Sequence, residues 1–281
     1  MKLRKFGSLG IDVPVVGLGT WMMDRDDRER AILAIHRAID LGMTHIDTAE
    51  FYGKGAVEEL VGEALAGHRA SVFLASKVIP SQATYAGTLR ACEMSLRRLR
   101  TDHLDLYMLH WPGDQPLAET LRALETLKED GKIRAWGLSN FDVTDLENAL
   151  EIVGEGAIAC NQVHYNREER DTEHVLQTFC ERHHIAFVGY SPFGSGNFPS
   201  PKSDGGRVLA RIAAAHAASP RAVALAYLTR SSSTFTIPKA SRAAHIDELS
   251  KASDIVLSAP DLEAIEAAFP LPPPKSKLPM I

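Results

Sequence analysis

Short apolar runs alternate with amphipathic helical patterns from one end of the chain to the other, about eight times without a break. Val15-Val16-Gly17-Leu18-Gly19 reads as a buried strand. Ile32, Ile35 and Ile39 then line one face of a helix that Gly42 can stop. Residues 44–47 form the next strand, followed by a helical stripe of Val57, Leu60, Val61 and Ala64 ending near Gly67. Strand-like runs recur at 71–76, 104–109, 133–137, 157–161, 185–190 and 234–237. Helical patterns separate them, marked by Leu89, Leu96 and Leu99, by Leu117, Leu121, Leu124 and Leu127, and by Leu146 and Leu150. Further helices follow near 175–179, 208–217 and 221–228. Strands that alternate with helices call for a parallel sheet, and this many units in 281 residues match a closed α/β fold, the (β/α)8 TIM barrel of roughly 250 residues. An open doubly wound sheet is the alternative. It lacks its fingerprint here, because Gly17-Leu18-Gly19 continues into Thr20-Trp21 instead of a G-x-G-x-x-G that opens a helix.

No Pro/Gly/Ser-rich linker divides the series, so residues 1–281 are expected to form a single domain. Residues 2–14, with Gly7-Ser8-Leu9-Gly10 between short apolar stretches, read as an N-terminal β-hairpin that could cover the barrel floor. Leu271-Pro272-Pro273-Pro274-Lys275 cannot be helical, because proline lacks the amide hydrogen, and reads as a short extended C-terminal tail. A chain 45% hydrophobic and 24% charged has an ordinary balance for a sizeable core. Its net charge of -5, with no long like-charge run, gives a nucleic-acid partner no footing. Cys92, Cys160 and Cys180 are odd in number and lack C-x-x-C spacing, which reads as reduced, structural thiols in a cytoplasmic protein. Lys2, Arg4 and Lys5 precede a segment broken by Gly7, Gly10, Asp12 and Pro14, a poor leader sequence. Nothing later approaches the ~18 apolar residues of a membrane span.

In such a barrel the C-terminal ends of the strands converge on one face, where chemistry is done. Asp47, Lys77 and His110 close the second, third and fourth strands, and Tyr52 lies a few residues into the loop after the second. Alone, each has an ordinary explanation: a packed loop tyrosine, a solvated lysine, a satisfied histidine beside a tryptophan. Four proton-handling groups at one end of neighbouring strands are harder to explain so. A free phenol, with a pKa near ~10, is a poor acid at neutral pH. A nearby Lys77 cation is expected to lower it, with Asp47 holding the lysine charged and His110 donating to a substrate oxygen. An acid, its charge tuner and a second donor around one oxygen suit carbonyl reduction, in which negative charge builds on that oxygen.

Ile46-Asp47-Thr48-Ala49-Glu50-Phe51-Tyr52-Gly53, Ser76-Lys77, Leu104-Asp105-Leu106-Tyr107-Met108-Leu109-His110-Trp111, Gly131-Lys132-Ile133-Arg134 and Gly137-Leu138-Ser139-Asn140-Phe141 together resemble the aldo-keto reductases. So do Asn161-Gln162, Tyr190-Ser191-Pro192 and Ile237-Pro238-Lys239, and the resemblance runs in order from about residue 10 to about residue 270. It implies a nicotinamide cofactor, NADPH with NADH as the alternative, and a catalytic tetrad of Asp47, Tyr52, Lys77 and His110. The family binds its cofactor extended across the barrel mouth, which accounts for the missing glycine fingerprint. Ser139, Asn140 and Gln162 match the positions that hold the carboxamide, and Tyr190 matches the aromatic on which the nicotinamide stacks. Ser191, Pro192, Phe193 and Gly194 would pass beneath the pyrophosphate. Gly19, Thr20, Ile237, Pro238, Lys239, Ala240, Ser241, His245 and Glu248 complete the implied cofactor set, and no metal is implied. Ser139-Asn140 would also serve as a helix N-cap, which is compatible with the same role.

The chain departs from the family pattern at the adenosine-phosphate segment. The usual Ile-Pro-Lys-Ser, then three residues, then Glu-Arg-Ile, is here Ile237-Pro238-Lys239-Ala240-Ser241-Arg242-Ala243-Ala244-His245-Ile246. Lys239 remains, while a hydroxyl has become Ala240 and a guanidinium fork has become the His245 imidazole. Ser241 or Arg242 could compensate, so the expectation is continued use of NADPH with reduced preference over NADH. Trp21, Phe51, His110 and Trp111 are placed to line an aromatic substrate pocket, and the short tail leaves it open, which suits small aldehydes and ketones. The resemblance is greatest to bacterial reductases that include methylglyoxal reductase-like members, so methylglyoxal is a candidate substrate and a monomer is expected. Two other readings stay open: a Schiff-base aldolase using Lys77 as nucleophile, and a nucleotide-binding regulatory or sensor subunit with little turnover.

Overall fold

The alternation closes into a ring. The computed structural model describes residues 1–275 and 277–280. In it β1 (Leu3–Lys5) and β2 (Asp12–Pro14) pair antiparallel as the expected hairpin. Eight parallel strands follow: β3 (Leu18–Gly19), β4 (His45–Asp47), β5 (Phe73–Val78), β6 (Leu104–Leu109), β7 (Ile133–Ser139), β8 (Cys160–His164), β9 (Ala186–Tyr190) and β10 (Thr234–Thr236). They neighbour one another in chain order, and the two ends of the sheet meet. Gly17 donates to the Thr236 carbonyl at 2.8 Å, Thr236 to Val15 at 2.9 Å and Gly19 to Pro238 at 3.0 Å.

Helices α1 (Arg28–Asp40), α2 (Ala56–Ala64), α3 (Tyr85–Leu99), α4 (Leu117–Glu129), α5 (Val143–Val153) and α6 (Leu176–Arg182) each link one strand to the next. Both α7 (Asp204–Ala215) and α8 (Pro220–Leu228) lie between β9 and β10, and α9 (Ala243–Ser250) and α10 (Ala259–Ala268) follow β10. The stripe Val57, Leu60, Val61 and Ala64 is buried, as its spacing requires. The Asp27, Thr84 and Asp142 side chains cap α1, α3 and α5, each cap contributing about 1 kcal/mol. Every residue of β5 and β6 is buried, since helices cover the outer face and side chains fill the inner one.

Three strands reach further than their apolar runs. Strand β5 ends at Val78, β7 at Ser139 and β8 at His164, where the sequence pattern stopped at 76, 137 and 161. Four of the seven added residues are polar, and Lys77, Ser139 and Gln162 find hydrogen-bond partners at the barrel mouth. The short helix α9 and the Ser258-capped α10 were not anticipated either. The 271–275 tail has no regular secondary structure, as expected, and the Pro272 carbonyl lies 2.8 Å from His174 Nε2.

The hairpin closes the floor. Phe6 is fully buried against Phe73 and Phe235, with ring centroids 4.9 Å away in both cases, and meets His45 edge-on at 5.8 Å. Arg4 ties the hairpin to the carbonyls of Thr229, Ser231 and Thr234. Both ring nitrogens of His45 are buried without a partner among the described residues, and burial pushes its pKa down from 6.5 to about 4, against the pull of Asp47. Protons therefore bind the unfolded chain first, so stability is full above pH 6.5 and falls as pH drops towards 4. The loss should approach about 3 kcal/mol. Urea unfolding of the wild type and His45→Leu across that range tests this: the substitution should flatten part of the acid slope, and identical slopes would sink the assignment.

Candidate active site

The five side chains aimed at the barrel mouth come from four strand ends and one loop. Asp47 ends β4, Lys77 lies one residue before the end of β5, His110 follows β6 and Gln162 lies in β8. Tyr52 is set by a tight reversal in which Gly53, Lys54 and Gly55 all have positive φ (56°, 54° and 96°) before α2 begins. A Cβ on Gly55 would also lie 2.7 Å from Arg98 Cδ, so both backbone angle and space favour glycine there. The result is a compact constellation. Lys77 Nζ donates to Asp47 Oδ1 at 2.6 Å, to the Thr48 carbonyl at 2.9 Å and to the Tyr52 hydroxyl at 3.4 Å. Asp47 Oδ2 accepts from Gln162 Nε2 at 2.8 Å, and the His110 and Tyr52 ring centroids are 5.8 Å apart.

Burial and charge oppose one another here. Removal from water alone would lower the Lys77 pKa, but the Asp47 carboxylate and Tyr52 outweigh it and hold the ammonium above its ordinary value. Sequence reasoning expected Lys77 to lower the Tyr52 pKa. The net shift is upward, because desolvation of the phenol and the Asp47 charge exceed the stabilisation that Lys77 offers a phenolate. The phenol accordingly keeps its proton at neutral pH. Burial and the Lys77 charge press the His110 imidazole well below its usual pKa, so it is neutral, with Nδ1 sealed and unpartnered among the described residues. Such a site pairs a neutral acid with a fixed cation beside it, and can protonate an oxygen on which negative charge develops.

Around this centre the remaining sequence candidates fall into three groups. Asn140, in the left-handed region at φ 62°, donates to the His110 carbonyl at 3.0 Å and to Ser139 Oγ at 3.2 Å. Its Oδ1 accepts from the Tyr190 hydroxyl at 2.9 Å, and Ser139 Oγ donates to the Gln162 carbonyl at 2.9 Å. Tyr190 lies nearly parallel to His164 at 5.4 Å and leads into the turn Ser191-Pro192-Phe193-Gly194, closed by Gly194 N–H to the Ser191 carbonyl. Trp21 stacks on Phe51 at 6.0 Å and meets Tyr52 edge-on at 4.9 Å, while Phe51 meets Trp111 at 5.6 Å, which makes one aromatic wall. At the seam between β3 and β10, Gly19 bonds Pro238 and Thr20 donates to the Asp47 carbonyl. Beyond Ile237 and the buried Ala240, Lys239 pairs with Asp26 and lies 3.2 Å from Ser241 Oγ. His245 is exposed in the first turn of α9, with Glu248 half-buried one turn on.

A family model described as Aldo/keto reductase family matches residues 15–269. The chain belongs to that family. It is 39% identical to Methylglyoxal reductase YeaE of Escherichia coli, over 96% of each protein. It is 36% identical to Glyoxal reductase of Bacillus subtilis, over 92% of this chain and 90% of that one. A solved aldo-keto reductase from Klebsiella pneumoniae in complex with NADPH matches with a TM-score of 0.93 at 39% identity, covering 100% of both chains. An aldo/keto reductase is an oxidoreductase that reduces carbonyl compounds. Among the described residues no helix is long and apolar enough to cross a membrane.

The donors of this aldo/keto reductase suit a nicotinamide dinucleotide phosphate. The N-cap of α9, Arg242, makes no side-chain cap hydrogen bond, and Lys239 and Ser241 lie just before it in the chain, a setting that suits an anion. At the opposite end the Asn140 and Gln162 amides and the Tyr190 ring meet at one edge of the tetrad. Two features were missed in the sequence. One is the direct bond from Gln162 to Asp47. The other is a polar brace on the segments flanking Tyr52: the buried Glu58 accepts from Ser76 Oγ at 2.5 Å and Arg98 Nε at 2.6 Å, and the half-buried Glu50 accepts from the Ile79 amide at 2.9 Å. Glu58 falls in the first turn of α2, where acids ordinarily answer the helix dipole at the surface, so its position carried no signal of burial.

Proposed function

We propose that this chain reduces small aldehydes and ketones to alcohols with NADPH, Tyr52 giving the proton to the carbonyl oxygen. The observation that carries this reading is the placement of Lys77 Nζ, 2.6 Å from Asp47 Oδ1 and 3.4 Å from the Tyr52 hydroxyl. Bound NADPH supplies the hydride that the carbonyl carbon receives. Tyr52 holds its proton until the substrate oxygen turns basic, then passes it across, and the Lys77 ammonium stabilises the phenolate left behind. Asp47 keeps Lys77 protonated, and the neutral His110 orients the carbonyl by a hydrogen bond. Asn140, Ser139 and Gln162 would hold the carboxamide, Tyr190 would support the ring, and Lys239 with Ser241 would take the adenosine phosphate. Trp21, Phe51 and Trp111 would shelter a small substrate. Methylglyoxal is the first candidate, by similarity to the Escherichia coli protein of that name. The chain would act as a single-domain monomer in the cytoplasm. A lysine kept protonated by a carboxylate is a poor Schiff-base nucleophile, which weighs against an aldolase.

Loss of NADPH absorbance with a panel of small aldehydes, methylglyoxal included, tests the reaction; NADPH binding without any reduction would return the chain to a sensor role. The same assay run with NADH tests cofactor choice. The ratio of kcat/KM values should favour NADPH by less than about a thousandfold, roughly 4 kcal/mol, because Ala240 and His245 replace a hydroxyl and a guanidinium.

A further inference from the structure

The Lys239 ammonium is not held ready for a phosphate alone. It is already paired with the carboxylate of Asp26, from the loop after β3, and the two side chains are 33% and 31% exposed. The backbone that carries that carboxylate is held on both sides. Asp26 closes the short turn Met23–Arg25, its amide donating to the carbonyl of the buried Met23 at 3.2 Å. Its neighbour Asp27 caps α1 through the Arg30 amide. The loops are brought together by the barrel seam itself, where Gly19 bonds Pro238 immediately before Lys239. Hydrogen bonds from Lys239 and Ser241 and the charges of Lys239 and Arg242 outweigh the effect of burial and keep the Asp26 carboxyl below its ordinary pKa, so at neutral pH it is an anion.

We propose that Asp26 is a cofactor-specificity residue whose carboxylate competes with the 2′-phosphate of NADP(H) for Lys239, narrowing the advantage of NADPH over NADH. This rests on the reading of Lys239 as the phosphate anchor. A phosphate monoester brings between one and two negative charges to a cation that one carboxylate already neutralises, so it must displace Asp26 or share Lys239 against its repulsion. A 2′-hydroxyl brings no charge and meets no such opposition; the carboxylate can accept its hydrogen. Ala240 and His245 remove two usual compensations, and Asp26 adds an opposing charge from a second segment of the chain.

Equilibrium binding of NADP+ and NAD+, read by quenching of protein fluorescence without turnover, tests the proposal in the wild type, Asp26→Asn, Lys239→Met and the double variant. Asp26→Asn should tighten NADP+ about tenfold and leave NAD+ within about twofold, and that NADP+ gain should shrink when Lys239 is also replaced, leaving only direct repulsion. Unchanged or weaker NADP+ binding in Asp26→Asn overturns the proposal. So does a gain undiminished with Lys239→Met, because the carboxylate would then act through the general field and not by competing for Lys239. A wild type whose NADP+ affinity is indifferent to Lys239→Met overturns the phosphate anchor as well, which separates failure of the site reading from failure of the Asp26 role alone. Melting curves of the four proteins, followed by circular dichroism, establish that each is folded.

Discussion

Tyr52→Phe is expected to abolish measurable carbonyl reduction while leaving NADPH affinity within about twofold of the wild type. The ring stays, so the edge contacts to Trp21 at 4.9 Å and His110 at 5.8 Å survive. Only the hydroxyl 3.4 Å from Lys77 is removed, and Lys77 keeps Asp47 and the Thr48 carbonyl as partners, so the fold has no reason to fail. Loss of a positioned general acid ordinarily lowers a rate by about 100- to 10,000-fold. Retention of more than about a tenth of kcat, a barrier change under ~1.4 kcal/mol, refutes Tyr52 as the proton donor.

Asp47→Asn should damage both stability and turnover, and below pH 10.5 it should add a pH slope that the wild-type pair does not give. The Lys77–Asp47 pair is entirely sealed, with side chains 0% and 1% exposed, and breaking such a pair by removing one partner costs about 3–5 kcal/mol. In the wild type the folded Lys77 pKa is raised, so its contribution to stability is present below pH 10.5 and lost only above it. Without the carboxylate, burial dominates and the folded pKa falls below the unfolded value. The unfolded chain then binds the proton more readily, and stability increases with pH through the alkaline range towards that unfolded value. Urea unfolding at a series of pH values from about 7 to 10 separates the two behaviours. Parallel slopes in wild type and variant would contradict the pairing. Turnover should fall with it, since a neutral lysine cannot stabilise the Tyr52 phenolate.

The fold was legible because burial on both faces leaves a barrel strand no freedom of composition. Leu104–Leu109 is apolar at five of six positions, interrupted by Asp105, and its ends were read correctly. The strands whose C-terminal ends were placed too early were those that end in chemistry; β5 and β8 were read at the right length but two and three residues too far toward the N-terminus. Lys77, Ser139, Gln162 and His164 look like loop residues by hydropathy, yet they pair in the sheet because other polar groups at the mouth receive them. The convergence of the candidate site residues was legible for a related reason. Asp47, Lys77 and His110 each break an apolar run at the same end of successive strands, and a barrel brings those ends together.

What could not be read was anything decided by distance between segments far apart in the chain. Gln162 reaches Asp47 across 115 positions and Lys239 reaches Asp26 across 213. The direction of the Tyr52 pKa was also out of reach, since it depends on how far desolvation exceeds the pull of one cation. The sequence by itself determined the barrel, its order and the ends at which chemistry could gather, because periodicity and burial are properties of neighbouring residues. Tertiary structure alone decided which charges meet there, because Coulomb and desolvation energies follow separations in space that the spacing of residues along the chain does not record.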